Sequence, residues 1–500
     1  MENSIIGNVF TERDKKSKAI PLKKYTEAYV VSFAVLSERF SFWGLQAVMT
    51  LFLMQYFYQS EQRVFTLVGA FGALSYAFSL LGGLLADKFI GVWKSCLFGL
   101  ILCLLGNSVL IFSDSLISLN IGLSCILVGA GLFSPSSNNL IHLLYEKKSD
   151  LRESGFLISC VAGNISGALA PLIYGIFGAK GIWHGAFLVS AILNCFSSLY
   201  LIKHYNHFRQ ACGNQLYQAN NNKLGKIIVV CFVGIAFGLL VNINWLNTLL
   251  LIGIIPLCFL AFLLYRQLNE CERQRVKFIF FLTGILLLFY VAVFQIYSSL
   301  TLFIDHYVNR QIMGWEIPVP AFASLQCVFF ILSAPIVERL LAVFRRKGYM
   351  MPLLIKIPVG LIIAAVGFSL FAFGKWIAFK SGSCGIEWII VGNFFLGLGE
   401  VFLYPPILTV VSSFSPRKWA GTLMGGFSIS LAFASYFSGK LAWLLTSRWM
   451  INTRQIESVF HLGYAKIVLL LIGISVLSII MFSFLKKWYH LQINLLNSNS

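Results

Sequence analysis

The sequence predicts an all-α integral membrane fold, and three observations support this prediction. Of the 500 residues, 58% are hydrophobic and only 11% are charged, whereas soluble domains carry about 25% charged residues. Apolar runs of roughly 20 residues, the length that a bilayer-spanning helix needs, recur along the chain. The net charge of +19 is concentrated in alternate loops, where the groups KKSK, KK, RRK and RK all fall on one side. This asymmetry sets orientation in a membrane, so nucleic-acid binding is excluded as the reason for the positive charge.

The apolar runs predict fourteen membrane-spanning helices. The first six lie at 28–57, 65–86, 92–113, 116–145, 155–178 and 182–203. Two more lie at 226–243 and 246–265, and the last six lie at 277–304, 320–344, 350–373, 386–414, 418–447 and 463–485. Because the number is even, both termini are expected on the basic, cytoplasmic side of the membrane.

The order six, two, six predicts two helical bundles with an inserted helix pair. The predicted domains are a cytoplasmic tail (1–27), a six-helix bundle (28–203), a cytoplasmic linker (204–276) that contains the pair (226–265), a second six-helix bundle (277–485) and a cytoplasmic tail (486–500). Short echoes between the halves, such as GAGLFSP and GLGEVFLYP, favour an internal repeat, although Gly and Pro are common in membrane helices generally. Two parallel six-helix repeats are the architecture of major facilitator transporters, which bind substrate near the midplane between the halves.

Several classes of function find no support in the sequence. The 11 cysteines are scattered without a CxxC motif or a neighbouring histidine cluster, so neither a metal site nor an external disulfide framework is expected. We find no metal-ligand spacing, nucleophile elbow or phosphate loop. The N-terminal segment is polar and does not read as a cleavable signal peptide. The expectation is a protein that is not an enzyme and has no cofactor.

One charged pair interrupts the first apolar run. The segment VLSERFSFWGLQAVMTLFLMQYF places Glu38 and Arg39 side by side within it. A charge in the hydrocarbon core costs from about 2.5 to more than about 10 kcal/mol, and charges that survive there are functional by default. The alternative is that the two charges only neutralise each other near a helix end.

Five segments resemble the proton-dependent oligopeptide transporters (POT family) of the major facilitator superfamily. ERFSFWG is similar to the ExxERFxYYG motif of the first helix, and GLGEVFLYPPILTVVSSFSP is similar to the tenth helix, where the family has GExxxSPxGLS. The other segments are YAFSLLGGLLADKFIG, NISGALAPLIYG and SSLTLFIDHYVNRQIMGWEIPVPAFASLQ. They occur in the family's order along nearly the whole chain, and an inserted helix pair is typical of bacterial members.

The resemblance implies a role for individual residues. Arg39 would bind the carboxylate of the substrate, Glu400 its amino terminus, and Tyr76 and Asn164 a peptide backbone. A guanidinium binds a planar carboxylate through two hydrogen bonds, which an ammonium cannot do. The remaining positions implied to line the substrate site are Phe42, Trp43, Gln295, Gln326 and Phe427, and Asp87 and Lys88 would brace the cytoplasmic gate.

Two charge pairs of the family are missing from this chain. The first glutamate of ExxERF is Val35 here, and the lysine of the fourth helix is Ser134. The arginine after YYG is Gln46, and the glutamate of the seventh-helix FEQ motif is Phe294. Removing one member of a buried pair strands a charge at a cost of about 3–5 kcal/mol, whereas replacing both can be neutral. The losses are therefore compatible with the fold but put proton coupling in doubt.

Two carboxylates remain as candidates for proton coupling, Glu38 and Glu400. Glu38 is expected to stay ionised beside Arg39, which would leave Glu400 as the single proton carrier. Since Glu400 would also hold the substrate's amino group, weak coupling or exchange is expected.

The predicted cavity is less polar than that of the family. The paired tyrosines are Phe42 and Trp43, the tyrosine of the fifth-helix YxxxN is Cys160, an eighth-helix asparagine is Gln326 and an eleventh-helix tryptophan is Phe427. Lost hydroxyls remove hydrogen bonds to a peptide backbone, so a less peptide-like or more apolar substrate is an open alternative.

The leading hypothesis is a monomeric transporter of the bacterial inner membrane. It would move di- and tripeptides, or a related small molecule with a carboxylate, by alternating access, with or without protons. The alternatives are an uncoupled uniporter or exchanger of a non-peptide substrate, and a transport-dead sensor. Arg39 and Glu400 argue against the sensor, because such a protein has no reason to keep two costly ions.

Overall fold

A computed structural model describes residues 26–145, 149–212, 222–242, 266–346, 353–415, 420–446 and 464–477. Within these residues nearly all of the chain is helical, as predicted. Ten helices of the described part are long and apolar enough to cross a membrane. The second helix of the inserted pair (246–265) and both predicted tails lie outside the described residues.

The first half contains six long helices that match the predicted spans. They are α1 (Thr26–Gln55), α2 (Glu61–Leu85), α3 (Val92–Ile111), α4 (Leu116–Leu144), α5 (Ser149–Ala179) and α6 (Trp183–Lys203). A π-helical turn, Ala86–Ile90, follows α2, and a short helix, α7 (Tyr205–Cys212), follows α6. The first helix of the inserted pair is α8 (Asn222–Val241).

The second half repeats the pattern with one interruption. Its helices are α9 (Glu270–Val293), α10 (Ser299–Tyr307), α11 (Ala321–Arg346), α12 (Leu353–Ser381), α13 (Glu387–Phe414), α14 (Ala420–Thr446) and α15 (Tyr464–Leu477). The predicted span 277–304 is therefore two helices, α9 and α10, joined by a 3₁₀ turn at Phe294–Tyr297. The exact limits of the predicted domains stay predictions.

Four two-residue strands lie in the connections at one end of the second half. They are β1 (Val308–Asn309), β2 (Gln311–Ile312), β3 (Trp315–Glu316) and β4 (Cys384–Gly385). Strand β1 pairs in parallel with β4, and β2 pairs antiparallel with β3. The turn between β2 and β3 has positive φ at Met313 (51°) and Gly314 (80°). Two consecutive positive φ angles are what a tight hairpin turn needs, and glycine adopts such an angle without strain.

The halves touch at the end of the molecule that the charge pattern predicts to be external. Thr50 Oγ1 on α1 donates a hydrogen bond to the carbonyl oxygen of Tyr297 at 2.6 Å. Ser435 Oγ on α14 donates to the carbonyl oxygen of Gly69 on α2 at 3.3 Å. Gly69 lies so close to Gly439 that a Cβ on Gly69 would be 3.2 Å from the Cα of Gly439. Small residues let helix backbones approach closely in membranes, and here they close the external end.

The centre of the molecule stays accessible although its external end is closed. The side chain of Arg39, midway along α1, is 28% exposed, and Cys160 on α5 is exposed as well. We infer that the opening lies at the opposite end of the helices.

The closed external end generates a prediction about Gly439. A Cβ at this position would overlap the carbonyl oxygen of Phe65, a backbone atom that cannot rotate away. Gly439→Ala should therefore hold α14 away from α2. A reporter cysteine at Gln46, which is buried, should then react faster with a membrane-impermeant maleimide.

The matched control for this prediction is Gly284→Ala on α9, where an added Cβ would meet nothing within 4 Å. Both changes remove the cost of about 1 kcal/mol that glycine carries in a helix, so only the steric effect differs. Equal labelling rates in the two variants would mean that the glycine contact does not close the external end.

Candidate functional site

The first charged group of the candidate site is centred on Arg39. Arg39 Nη2 donates a hydrogen bond to Ser134 Oγ on α4 at 2.7 Å, and its Nε lies 3.3 Å from Glu38 Oε2. Ser134 precedes Pro135 in α4, and Pro135 cannot donate to the carbonyl oxygen of Gly131. The guanidinium also lies 5.8 Å from the centre of the Phe42 ring. Arg39 is thus held by one carboxylate and one hydroxyl, and part of its surface stays free.

Glu38 is the more deeply buried member of this pair. Its side chain is only 1% exposed, and neither of its oxygens accepts a hydrogen bond from the described residues. The contact with Arg39 is therefore the main interaction that compensates the buried charge of Glu38. A buried charge normally needs both a counter-charge and hydrogen bonds, so Glu38 depends closely on Arg39.

The second charged group is Glu400 on α13. Tyr290 Oη donates to Glu400 Oε1 at 2.7 Å, and Gln326 Nε2 donates to Oε2 at 2.8 Å. Both donors are neutral, and among the described residues no cation forms an ion pair with Glu400. The carboxylate is therefore oriented by α9 and α11 but its charge is left for another group to balance.

Tyr76 on α2 lies near both charged groups. Its hydroxyl is close enough to Arg39 and Glu400 to be affected by the charges of both. The hydroxyl of Tyr404 on α13 is affected by the same two charges. Arg39 and Tyr76 belong to the first half, whereas Glu400 and Tyr404 belong to the second. The structure therefore brings the two ions to one central space between the halves.

Aromatic rings form one wall of this space. Trp43 stacks on Tyr297 across the two halves, with ring centres 6.2 Å apart. Of the predicted lining residues, Trp43 is half-buried, whereas Phe42 and Phe427 are almost fully buried and pack behind the surface. The continuous row of ring contacts is Phe42, Trp43, Tyr297, Phe294, Tyr290, Tyr404 and Phe427.

Asn164 on α5 offers an acceptor to this space. Its Nδ2 donates to the carbonyl oxygen of Cys160 at 2.9 Å and contacts Cys160 Sγ at 3.5 Å. The amide hydrogens are thus directed into the helix, and Oδ1 is left for a donor on a ligand. Cys160 is exposed and lies near Tyr404 of the other half, so it faces the same space.

Gln295 occupies a different place from the one that the family resemblance implies. It is fully buried (0% exposed). Its Nε2 donates to Ser438 on α14, at 3.0 Å to both the carbonyl oxygen and Oγ, and its Oε1 accepts from Ser299 Oγ at 2.7 Å. The amide thus fixes the break between α9 and α10. In this conformation the side chain of Gln295 is not accessible to a substrate. Its assignment as a substrate contact stays a prediction, and the packing does not support it.

Asp87 and Lys88 were predicted to brace the cytoplasmic gate, and Gln46 occupies a position where the family has an arginine. Asp87 and Lys88 lie in the π-helical turn after α2, and their side chains lie outside the described residues, so their gating role stays a prediction. Gln46 is buried near Gly72 and Ser435, and its Oε1 has no hydrogen-bond partner among the described residues. A buried neutral amide thus occupies, at the closed end, the position where the family has an arginine.

The sequence did not identify Tyr290, Tyr297 or Tyr404 as site residues. Tyr290 lies one helical turn before Phe294, and Tyr404 lies one turn after Glu400. The periodicity of an α-helix places residues four apart on the same face. This spacing was a signal in the sequence that could have identified Tyr290 and Tyr404.

Comparisons with known proteins identify the family of this chain. A family model described as the POT family matches residues 94–458. The dipeptide and tripeptide permease A of Proteus mirabilis is 25% identical over 443 residues, which cover 87% of this chain and 90% of the permease.

Solved structures show the same fold. A peptide transporter in complex with alafosfalin superimposes with a TM-score of 0.80 at 21% identity, covering 92% of this chain and 95% of that one. A POT family transporter in complex with 5-aminolevulinic acid gives 0.77 at 22% identity, with coverages of 91% and 96%. The predicted major facilitator fold is therefore confirmed.

The family model spans well over half of the chain, and the matching permease and transporter structures cover nearly all of it. This protein belongs to the POT family.

Proposed function

We propose that this chain is a secondary transporter of di- and tripeptides, or of a related small molecule that carries an amino group and a carboxylate. The observation that carries the proposal is the placement of Arg39 and Glu400 on opposite halves around Tyr76. Arg39 would bind the carboxylate, and Glu400, which forms no ion pair with a cation of the described residues, would bind the amino group. The names of its relatives support this class, since one is a dipeptide and tripeptide permease and one solved transporter holds 5-aminolevulinic acid.

Transport would proceed by alternating access between the halves. The external end is closed by Gly69, Gly439 and the bond from Thr50 to Tyr297. A substrate that contacts Arg39 and Glu400 at once would draw the halves together at the centre. Rocking of the halves about this site would then open the external end and close the other.

The second candidate function is uncoupled uniport or exchange. Val35, Ser134 and Phe294 cannot carry protons, and Ser134 instead accepts a hydrogen bond from Arg39. The remaining candidates are Glu400 and Glu38, and Glu38 lacks hydrogen bonds to the described residues. If Glu400 binds both a proton and the amino group of the substrate, the two compete and a pH gradient drives accumulation poorly.

The membrane location, the orientation and the oligomeric state of the protein are part of the same proposal. Its relatives are bacterial permeases, and the basic loops support an inner-membrane orientation with both termini cytoplasmic. The monomeric state is part of this proposal without support from the described contacts, and one solved structure of the same fold is described as tetrameric. The experiment that tests the function is uptake of a labelled dipeptide into proteoliposomes, with and without an imposed pH gradient, and absence of uptake or exchange would reject it.

Arg39→Lys should weaken binding of the dipeptide because the lysine ammonium cannot make two parallel hydrogen bonds to a carboxylate. Charge-assisted hydrogen bonds contribute about 1.5–3 kcal/mol, so the dissociation constant should rise by about tenfold or more. Isothermal titration of the purified protein measures it. Arg63→Lys, at an exposed position in the first turn of α2, is the matched control, and equal affinity in both variants would remove Arg39 from the site.

Glu400→Gln should abolish the small pH-driven accumulation that we expect, since the amide takes up no proton, and it should also weaken binding of the amino group. Accumulation and counterflow exchange are measured in the same proteoliposomes. Glu387→Gln, at the exposed start of the same helix, should change neither. Strong accumulation that survives Glu400→Gln would show that the proton follows another route.

The joint loss of charges predicts a double-mutant effect on stability. Val35→Glu and Ser134→Lys should each lower the unfolding temperature, because each adds an uncompensated charge beside the Arg39 group, at a cost of about 3–5 kcal/mol for a stranded buried ion. Together they should recover most of that loss. The neutral pair Val35→Gln and Ser134→Gln is the control for size, and purely additive effects of the charged pair would contradict the interpretation.

A further inference from the structure

A second cluster of titratable groups lies at the external end of the first half, away from Arg39 and Glu400. It joins His184, in the first turn of α6, to Tyr56, which follows α1, and to Asp114, which follows α3. Tyr56 Oη lies 3.0 Å from Asp114 Oδ1 and 3.1 Å from His184 Nε2. His184 Nδ1 lies 3.1 Å from the carbonyl oxygen of Leu110. One hydroxyl thus stands between an imidazole and a carboxylate.

The number of hydrogen atoms available for hydrogen bonds in this cluster depends on whether His184 is protonated. A carbonyl oxygen only accepts, so Nδ1 must carry a hydrogen to bond with Leu110. In the neutral ring Nε2 is then an acceptor, and it competes with Asp114 for the single hydroxyl hydrogen of Tyr56. When the ring is protonated, Nε2 donates to Tyr56 and Tyr56 donates to Asp114. All three contacts are hydrogen bonds only in the protonated state.

Tyr56 keeps its own hydrogen in both states. Burial first, and then the hydrogen bond and negative charge of Asp114, raise the pKa of the Tyr56 hydroxyl above its ordinary value. The hydroxyl can therefore rotate between Nε2 and Asp114 but does not ionise.

The charges around His184 act in opposite directions. The carbonyl of Leu110 belongs to the last turn of α3, and the negative end of a helix favours a nearby cation. Asp114 adds a full negative charge beyond Tyr56. Against these, His184 lies in the first turn of α6, whose positive end disfavours a cation. Lys180 lies in the turn between α5 and α6, and among the described residues no ion pair links it to Asp114.

We propose that His184, Tyr56 and Asp114 form a proton-binding site that is separate from the central site. A proton taken from water binds at Nε2, and the hydrogen of Tyr56 turns from Nε2 to Asp114. Imidazole is suited to this exchange, because it gains a second N–H donor when it binds a proton.

The rearrangement acts on α1 through its end. In the protonated state Tyr56 is bonded on both sides, which ties the end of α1 to α3 and α6. The same helix carries Arg39 and contacts the second half through Thr50. External pH would therefore change how firmly the helix of the carboxylate anchor is held.

The test is nuclear magnetic resonance of the full chain in lipid nanodiscs, labelled with ¹⁵N in histidine and ¹³Cζ in tyrosine. At about pH 8 the His184 ring should carry its hydrogen on Nδ1, and at about pH 5 on both nitrogens. The Tyr56 ¹³Cζ signal should move between these two values in the parent protein. The movement should be lost in His184→Gln, because the amide takes up no proton.

The matched control is His204→Gln at the other end of α6. His204 Nδ1 also lies close to a carbonyl oxygen, that of Tyr200 at 3.0 Å, but it has no contact with Tyr56 or Asp114. This variant should leave the Tyr56 movement intact. A neutral His184 with its hydrogen on Nε2, or a Tyr56 signal that follows pH equally in His184→Gln, would overturn the proposal. The ring tautomer is read from the parent alone, and neither readout depends on the transported substrate.

Discussion

The buried charge of Arg39 is the constraint on which the rest of the site depends. A guanidinium inside a membrane span needs a counter-charge and acceptors, and Glu38 and Ser134 provide them. Because Glu38 has no other described partner, the two charges are retained or lost together. We propose that the remaining exposed part of Arg39 binds the ligand carboxylate, so the guanidinium that Glu38 and Ser134 compensate would also select the substrate.

Glu400 shows the opposite arrangement. Its two oxygens are oriented by Tyr290 and Gln326, and no cation of the described chain balances its charge. The first half thus offers a partly compensated cation, and the second half an oriented but uncompensated anion. In the proposed function a zwitterionic substrate would complete both. Substrate binding and the approach of the two halves would then be one event.

The sequence predicted the spans, the two halves and the position of Arg39 and Glu400 because long apolar runs and intramembrane charges are strong local signals. It did not predict the break after Val293, since the hydrogen bonds of Gln295 to Ser438 join residues far apart in the chain. The helical spacing of Tyr290 from Phe294 was a local signal, but its hydrogen bond to Glu400 joins residues far apart in the chain. Ser134 accepts a hydrogen bond from Arg39. The absence of the family's lysine did not predict this bond, because the bond depends on the serine hydroxyl that occupies the position instead.

The most direct measurement is an electron cryo-microscopy structure of the protein with a bound dipeptide. The account predicts that the dipeptide carboxylate lies within hydrogen-bond distance of the Arg39 guanidinium and its ammonium within hydrogen-bond distance of Glu400, beside Tyr76. A dipeptide bound in the reverse orientation, or one that contacts neither Arg39 nor Glu400, would contradict the account.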